Sequence, residues 1–182
     1  LCFAEKELFL TQLRAALRAS AYGPLQIMFP MVGSLEDIRK AKEYLNLAKE
    51  QLKERKQQFD EQIRIGIMIE IPAIALIADL AAEEVDFASI GSNDLTQYLS
   101  AADRMNPEVA AYYKSDSTAM LRLLGFVFRE FSKREKEISV CGEMAGNPET
   151  AQLLVGLGAR KLSMSSGNIA GVKAKLAECT LQ

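Results

Sequence analysis

The sequence predicts an α/β fold built on a parallel sheet. Short apolar segments of strand length alternate with helical segments about five times along the 182 residues, as in proteins whose parallel strands are connected by helices. The strand segments are short and apolar rather than alternating, which is typical of strands buried on both faces. Polar residues directly follow several of these strands. Because the carboxyl ends of parallel strands meet at one edge of the sheet, we expect the polar residues to gather there.

Apolar residues three or four positions apart predict the helices of the first half, and Ser34 and Pro72 mark two helix starts. Leu10, Leu13 and Leu17 form the apolar stripe of the first helix. The elements predicted in this half are a helix over residues 5–20, a strand over 25–31, a helix from Leu35 capped by Ser34, a strand over 65–70, and a helix from Pro72 to about Ala82.

The second half repeats the same alternation of strand and helix. Asn147 is of a residue type that often caps a helix, and Pro148 is of a type that is favoured at the first helical position. The elements predicted here are a strand over residues 87–90, a helix or irregular loop to about Ala102, a loop over 103–117, a helix over 120–133, a strand over 138–141, a helix capped by Asn147, a strand over 161–164, and a last helix through Val172 and Leu176.

Five strand–helix units fit two architectures. One is a five-stranded doubly wound sheet. The other is part of an eight-stranded barrel, since a complete barrel of that type needs about 250 residues. A glycine-rich dinucleotide fingerprint would favour the first, but Gly156 and Gly158 lie at the wrong end of a helix for it. The pattern alone leaves both architectures open.

Composition excludes several classes of function. A net charge of −2 gives no electrostatic reason to expect nucleic acid or an anionic membrane as a partner. No apolar stretch approaches the roughly 20 residues that span a bilayer, so no membrane insertion is expected. The three cysteines form neither a disulfide framework nor a zinc pattern, which favours a reducing cytoplasm. The chain contains no histidine and therefore carries no phosphohistidine of its own. We expect residues 1–182 to form a single domain.

Two acidic positions at strand ends are candidate metal ligands. Glu70 closes an apolar strand, and a carboxylate so near the core must bind a metal, pair with a cation or turn to solvent. Gly91, Ser92, Asn93 and Asp94 follow the next strand. Their backbone N–H groups can cradle an anion, and Asp94 can reach a cation. The alternative for this turn is helix capping by Asn and Asp.

Arg104 and Cys141 complete the set of candidates. An arginine forms bidentate pairs with carboxylate or phosphate, although a lone arginine in a charged loop is more often an ordinary surface residue. Cys141 ends a strand and is followed by Gly142, so a ligand has room to approach it. Isolated cysteines are usually inert core residues, and Cys2 and Cys179 are interpreted as structural.

Several segments resemble the C-terminal domain of the phosphoenolpyruvate–protein phosphotransferase family, the enzyme I proteins of bacterial phosphotransferase systems. The likeness runs in order along nearly the whole chain. Its segments are IMFPM at 27–31, GIMIE at 66–70, SIGSNDLTQY at 89–98, DR at 103–104, CGEMAG at 141–146 and LSMS at 162–165. The runs SNDLTQY and CGEMAG are specific.

The resemblance implies a fold and a set of roles. It implies the C-terminal part, about strands four to eight, of a (β/α)₈ TIM-type barrel that binds phosphoenolpyruvate (PEP) and Mg²⁺ and forms a homodimer. Its implied metal ligands are Glu70 and Asp94, and its implied PEP-binding residues are Asn93, Arg104, Gly91 and Ser92. Cys141 would be the catalytic acid that protonates C3 of the enolate. The implied reaction transfers a phosphoryl group from PEP to a protein histidine and then to a phosphocarrier protein.

The chain also departs from this family. The histidine domain that meets the phosphocarrier protein and the first three barrel strands would precede Leu1, so this chain alone is expected to be inactive. An open half-barrel would expose strand edges, which favours a dimer or larger assembly. Residues 116–118 are Asp-Ser-Thr where relatives often carry His-Pro. Two alternatives remain, a Mg²⁺-dependent aldolase or lyase on a related barrel and a non-catalytic dimerisation module.

Overall fold

Parallel strands adjacent in sequence are also adjacent in the sheet. The computed structural model describes residues 2–179, and four strands lie within them in the order β1-β2-β3-β4. Every neighbouring pair is parallel. The strands are β1 (Gln26–Phe29), β2 (Arg64–Ile69), β3 (Phe87–Gly91) and β4 (Glu137–Cys141).

Helices connect the strands and follow the last one. Over the same described residues they are α1 (Lys6–Ala19), α2 (Leu35–Glu54), α3 (Pro72–Leu76), α4 (Ala78–Glu84), α5 (Ser92–Ser100), a 3-10 helix (Pro107–Tyr112), α6 (Thr118–Lys133), α7 (Glu143–Gly146), α8 (Pro148–Gly156) and α9 (Ser166–Ala177). The prediction of alternating strands and helices is confirmed.

The strand order distinguishes the two architectures that the sequence left open. A doubly wound sheet reverses its strand order at a switch point. The order from β1 to β4 follows the sequence without such a reversal, as in a barrel of the TIM type. The sheet is therefore of the barrel kind.

The two faces of the sheet have different surroundings. Because side chains alternate along a strand, Ile67 and Ile69 lie on one face of β2 and Met68 on the other. Ile67 and Ile69 are fully buried and pack in the core with residues of the helices. On the opposite face, Met28 of β1 is 37% exposed. One face thus forms the core, and the other is partly open.

The fifth predicted strand is shorter than expected. Residues 161–164 meet β4 only through a bridge between Leu162 and Val140. The Val140 N–H donates to the carbonyl of Lys161 at 3.0 Å, and the Ser163 N–H donates to the carbonyl of Val140 at 2.8 Å. The chain then turns to enter α9, so the ladder ends after one residue.

Three other segments refine the predicted elements. The helix from Pro72 is broken at Ile77, where φ is −115° and ψ is 33°. The segment after β3, predicted as a helix or an irregular loop, is α5. The predicted loop at 103–117 contains the 3-10 helix. Ser34 caps α2 as expected, and together with Asp37 it forms a capping box.

None of the helices formed by the described residues combines the length and apolarity that crossing a membrane requires.

Candidate functional site

The register of the sheet brings the predicted site residues to one edge. Ile69 pairs with Ile90, and Gly91 pairs with Cys141. Glu70 directly follows Ile69, so it lies beside Gly91, which in turn lies beside Cys141. All three are at the carboxyl ends of their strands, where barrel folds place their active sites.

Glu70 is held in a nearly buried position. Glu70 is 7% exposed, and its Oε1 accepts a hydrogen bond from the Met31 N–H at 2.7 Å. Met31 adopts a left-handed backbone with φ of 54°, which is uncommon for a residue with a side chain. This bond ties the loop after β1 to the end of β2 and fixes one carboxylate oxygen.

Gly91 leaves room for the other carboxylate oxygen. A Cβ at this position would lie 2.9 Å from both Cβ and Oε2 of Glu70 and 3.3 Å from Cγ of Met68. The backbone of Gly91 has an ordinary negative φ of −82°. Glycine is therefore required at this position because a larger residue would clash with Glu70, and not because of its backbone conformation.

Gly142 lies between β4 and α7 in the chain and packs closely against the start of α5. Its φ is +95°, and a Cβ there would lie 2.5 Å from Ser92 Oγ and 2.8 Å from Asn93 Oδ1. Ser92 Oγ donates to the carbonyl of Cys141 at 2.7 Å, and the Glu143 N–H donates to Asn93 Oδ1 at 2.9 Å. These two bonds fix the Ser92 and Asn93 side chains against the segment that carries Cys141.

The Cys141 thiol lies on the partly open face. Its Sγ is 3.4 Å from the carbonyl oxygen of Ile90 and 3.9 Å from Met68 Sδ. A thiol is a weak donor, so either contact is readily exchanged for one to a ligand. Cys141 and Asn93 also line an open cleft of about 370 Å³ that extends to Asn168 of α9. As formed by the described residues, the lining of this cleft does not include Glu70, Asp94 or Arg104.

Asp94 and Arg104 face each other across a short gap. Arg104 Nη1 lies 3.8 Å from Asp94 Oδ1, and both side chains are more than a third exposed. An exposed pair at this distance is worth between zero and about 1 kcal/mol. A cation at Asp94 and an anion at Arg104 can therefore separate the pair at little cost.

Residues 101–117, hereafter the Arg104 loop, are attached to α5 by the Ala102 N–H, which donates to the carbonyl of Gln97 at 3.2 Å, and by two bonds that involve side chains. The Arg104 N–H donates to Gln97 Oε1 at 3.1 Å. The Tyr113 hydroxyl donates to the carbonyl oxygen of Asn93, also at 3.1 Å. Burial raises the pKa of Tyr113 above its usual value, as do Glu143 and Asp94, while Arg104 opposes the shift.

The donor set suits a magnesium ion. Among residues 2–179, no group of three or more His, Cys, Asp and Glu side chains is arranged to hold a metal. Mg²⁺, however, usually keeps several waters and binds through one or two carboxylates together with oxygens of a phosphorylated ligand. Glu70, directly after β2, and Asp94, in the first turn of α5 after β3, are carboxylates of the kind that this requires. The residues present therefore fit the metal.

The seven predicted site residues form one continuous set. Gly91 contacts Glu70 and pairs with Cys141, Ser92 bonds to the Cys141 carbonyl, and Asp94 contacts Arg104. Asn93 lies between Ser92 and Asp94 on α5. Their individual roles toward PEP and metal remain predictions.

Sequence reasoning missed three residues that support this set. Met31 offers its backbone N–H to Glu70, Met68 contacts the Cys141 thiol, and Tyr113 bonds to Asn93. Met31 and Met68 lie within segments that resemble the phosphotransferase family, but a methionine signals no role by its type. Tyr113 lies in a loop of no clear pattern.

Comparison with solved structures agrees with this fold. A citrate lyase from Burkholderia xenovorans matches with a TM-score of 0.66 at 19% identity, over 93% of this chain and 54% of the other. An HpcH/HpaI aldolase from Desulfitobacterium hafniense matches with a TM-score of 0.55 at 17% identity, over 91% and 67%. These neighbours are enzymes of the TIM-barrel type. Together, the fold and the position of the site define the class of this protein. It is an α/β parallel-sheet domain with polar groups at the carboxyl ends of its strands.

Sequence comparison identifies the family. The profile of the PEP-binding domain of PEP-utilising enzymes matches residues 1–181, and the chain belongs to this family. The resemblance to the phosphotransferase family is confirmed by curated relatives named phosphoenolpyruvate-protein phosphotransferase. The relative from Listeria monocytogenes is 50% identical over 169 residues, which are 93% of this chain and 30% of that protein. The one from Bacillus subtilis is 45% identical over 182 residues, 100% of this chain and 32% of that protein.

Another relative has a different name. Multiphosphoryl transfer protein 2 of Escherichia coli is 48% identical over 171 residues, which are 94% of this chain and 20% of that protein. This chain thus spans between 20% and 32% of the length of these three relatives. The likeness to lyase and aldolase structures concerns the fold alone and does not favour the lyase alternative.

Proposed function

We propose that this chain is the PEP- and Mg²⁺-binding domain of a phosphoenolpyruvate–protein phosphotransferase. The observation that supports this most is the placement of Glu70 beside Gly91 and Cys141 at the carboxyl ends of their strands, with the Asp94–Arg104 pair on the helix and loop that follow β3. Membership of the PEP-binding family supports PEP as the substrate. The names of the relatives described above support phosphoryl transfer as the reaction class.

Each polar group has a role that its chemistry suits. Glu70 and Asp94 would hold Mg²⁺, which when bound neutralises charge on the phosphate of PEP. Arg104 would bind the phosphate or carboxylate of PEP through its planar fork of donors. The Asn93 side chain and the backbone N–H groups of Gly91 and Ser92 would contact the phosphate. Charge that develops on the departing phosphoryl group is thereby spread over fixed donors.

Cys141 would supply the proton that completes the reaction. When the phosphoryl group leaves PEP for an acceptor nitrogen, the P–O bond breaks and the enolate of pyruvate remains. The Sγ–H bond of Cys141 then breaks, and its proton forms a C–H bond at C3 of the enolate. The product is pyruvate, and the thiolate regains a proton from solvent. The weak contacts of the thiol to Ile90 and Met68 leave it free to turn toward C3.

The remaining partners lie outside this chain. Because the chain has no histidine, the phosphoryl acceptor would be a histidine elsewhere in the complete gene product, which would pass the group to a phosphocarrier protein. Residues 1–182 would act as one partial barrel domain. We further propose that the domain forms a homodimer and works in the cytoplasm, with no nucleic acid or membrane as a partner.

Calorimetric titration of PEP tests the binding proposal. PEP would be titrated into the chain and into the complete gene product, each with and without Mg²⁺, together with Asp94→Asn. Asp116→Asn is a matched control, because Asp116 is an exposed aspartate of the Arg104 loop. The proposal expects heat that requires both Mg²⁺ and Asp94. Heat that is independent of both, or no heat from either protein, would refute it.

A further inference from the structure

We propose that Tyr113 is a positioning residue of this site, whose hydroxyl fastens the Arg104 loop to the helix that carries Asn93 and Asp94. The inference rests on the proposed function, because it concerns how Arg104 and Asp94 are held for PEP and Mg²⁺. Tyr113 itself would touch neither ligand.

Arg104 and Asp94 belong to different segments, so the distance between their side chains depends on how these segments are held together. Asp94 is in the first turn of α5, whereas Arg104 follows that helix in an exposed loop. Their own ion pair is weak, at 3.8 Å between exposed groups. The Gln97 bond to the Arg104 backbone constrains only the beginning of the loop. Without a second attachment, the rest of the loop and the Arg104 side chain would be free to move away from α5.

Tyr113 provides the second attachment. It directly follows the 3-10 helix Pro107–Tyr112, near the far end of the loop, and its hydroxyl reaches back 20 positions in sequence to the Asn93 carbonyl. The bond ends on the residue next to Asp94. The loop is thus held to α5 at Arg104 and again at Tyr113.

The surroundings of the Tyr113 phenol favour its protonated form, which donates the hydrogen bond to the Asn93 carbonyl. Glu143, Asp94 and Arg104 are the charged groups that act on it, and burial is the largest influence on its pKa. The net effect raises the pKa above the usual value near 10, so the hydroxyl remains protonated at neutral pH. Because the hydroxyl is part-buried, its bond to the Asn93 carbonyl competes less with water than a bond on the surface does.

The neighbouring tyrosine offers a matched control. Tyr112 is 70% exposed and lies one position away in the same loop. Tyr113→Phe and Tyr112→Phe each remove one hydroxyl and leave the ring. Hydrogen exchange of the amides of residues 101–113 would be measured for both variants in the complete gene product. The affinity for PEP with Mg²⁺ would be measured alongside, and the KM for PEP and kcat would follow from pyruvate formation.

Tyr113→Phe is expected to speed exchange in the Arg104 loop and to weaken PEP binding and raise KM by about 3- to 10-fold, the effect of losing one ordinary hydrogen bond. The expected change in kcat is less than about 3-fold, because the proton donor is untouched. Tyr112→Phe should change none of these quantities. The combined loss of loop protection and of affinity would support a positioning role.

The other outcomes separate this inference from the proposed function. Normal PEP affinity in Tyr113→Phe, with the parent protein binding PEP, would overturn the inference and leave the function standing. Weaker binding with unchanged exchange would also overturn it, because the hydroxyl would then contact the ligand directly. A parent protein that binds no PEP with Mg²⁺ would overturn both.

Discussion

Replacement of Gly142 by alanine tests whether the segment that carries Cys141 depends on close contact with α5. At φ of +95° and ψ of −171°, Gly142 has a conformation that is essentially restricted to glycine. The added Cβ would also lie 2.5 Å from Ser92 Oγ and 2.8 Å from Asn93 Oδ1. Contacts this short require the backbone or both polar side chains to move.

The cost follows from these two effects. Backbone strain of this kind is worth roughly 1–3 kcal/mol. Displacing Ser92 and Asn93 breaks their bonds to the Cys141 carbonyl and the Glu143 N–H, each worth about 0.5–1.5 kcal/mol. Gly142→Ala should therefore lower the free energy of unfolding by about 2–6 kcal/mol. That is a large part of the stability of a typical domain, which is about 5–15 kcal/mol.

Urea denaturation followed by far-ultraviolet circular dichroism would measure this change. Gly156→Ala is the control, because that glycine is in α8, has open space at its Cβ position and has no positive φ. It should leave stability unchanged or raise it by up to about 1 kcal/mol. A loss below about 1 kcal/mol for Gly142→Ala, relative to this control, would refute the reasoning.

Two further predictions concern the proton donor and acid stability. Cys141→Ala in the complete gene product should leave Mg²⁺-dependent PEP binding intact but slow pyruvate formation by about 100-fold or more, as expected when a general acid is lost; unchanged pyruvate formation would exclude Cys141 as the acid. Hydrogen bonds from Lys42 and then Arg39 lower the pKa of Glu84, so its stabilising effect is present above its unfolded pKa, near 4.5, and disappears as the pH falls through the lower folded value. Glu84→Gln should cost up to about 1 kcal/mol at pH 7 and less at pH 3, whereas Glu43→Gln, at an exposed position, should cost little at either pH. Urea denaturation at both pH values measures these costs, and an equal cost of Glu84→Gln at the two values would contradict the prediction.

Local signals in the sequence predicted much of the fold. Ser34 and Asn147 were predicted to cap α2 and a later helix, and each accepts backbone hydrogen bonds as expected. Such caps act over three or four residues, so the sequence alone carries the information. The break at Ile77 was not predicted, because no glycine or proline marks it.

The site was predictable where it follows a strand end and not elsewhere. Glu70 and Asp94 were recognisable because each lies just after an apolar run, and parallel strands align their ends. The Met31 N–H bond to Glu70 depends on a rare backbone conformation of a methionine. The Tyr113 bond depends on how a long loop returns to α5. Neither conformation has a signature in residue type or spacing.

The extent of pairing between β4 and residues 161–164 was likewise not predictable from the sequence. The place of that segment in the alternation of strands and helices predicted a strand, but the alternation does not determine how far a ladder continues. The extent of pairing depends on where the chain leaves to enter α9, and only Leu162 forms a bridge.

Electron paramagnetic resonance with Mn²⁺ in place of Mg²⁺ tests most directly whether Glu70 and Asp94 share one divalent cation with PEP. The complete gene product would be titrated with Mn²⁺ in the presence of PEP, alongside Glu70→Gln and Asp94→Asn. The glutamine keeps an acceptor for the Met31 N–H and removes only the charge. Both variants are expected to lose the PEP-dependent decrease of the free-Mn²⁺ signal that reports binding of the ion. Undiminished PEP-dependent Mn²⁺ binding in both variants would contradict this expectation.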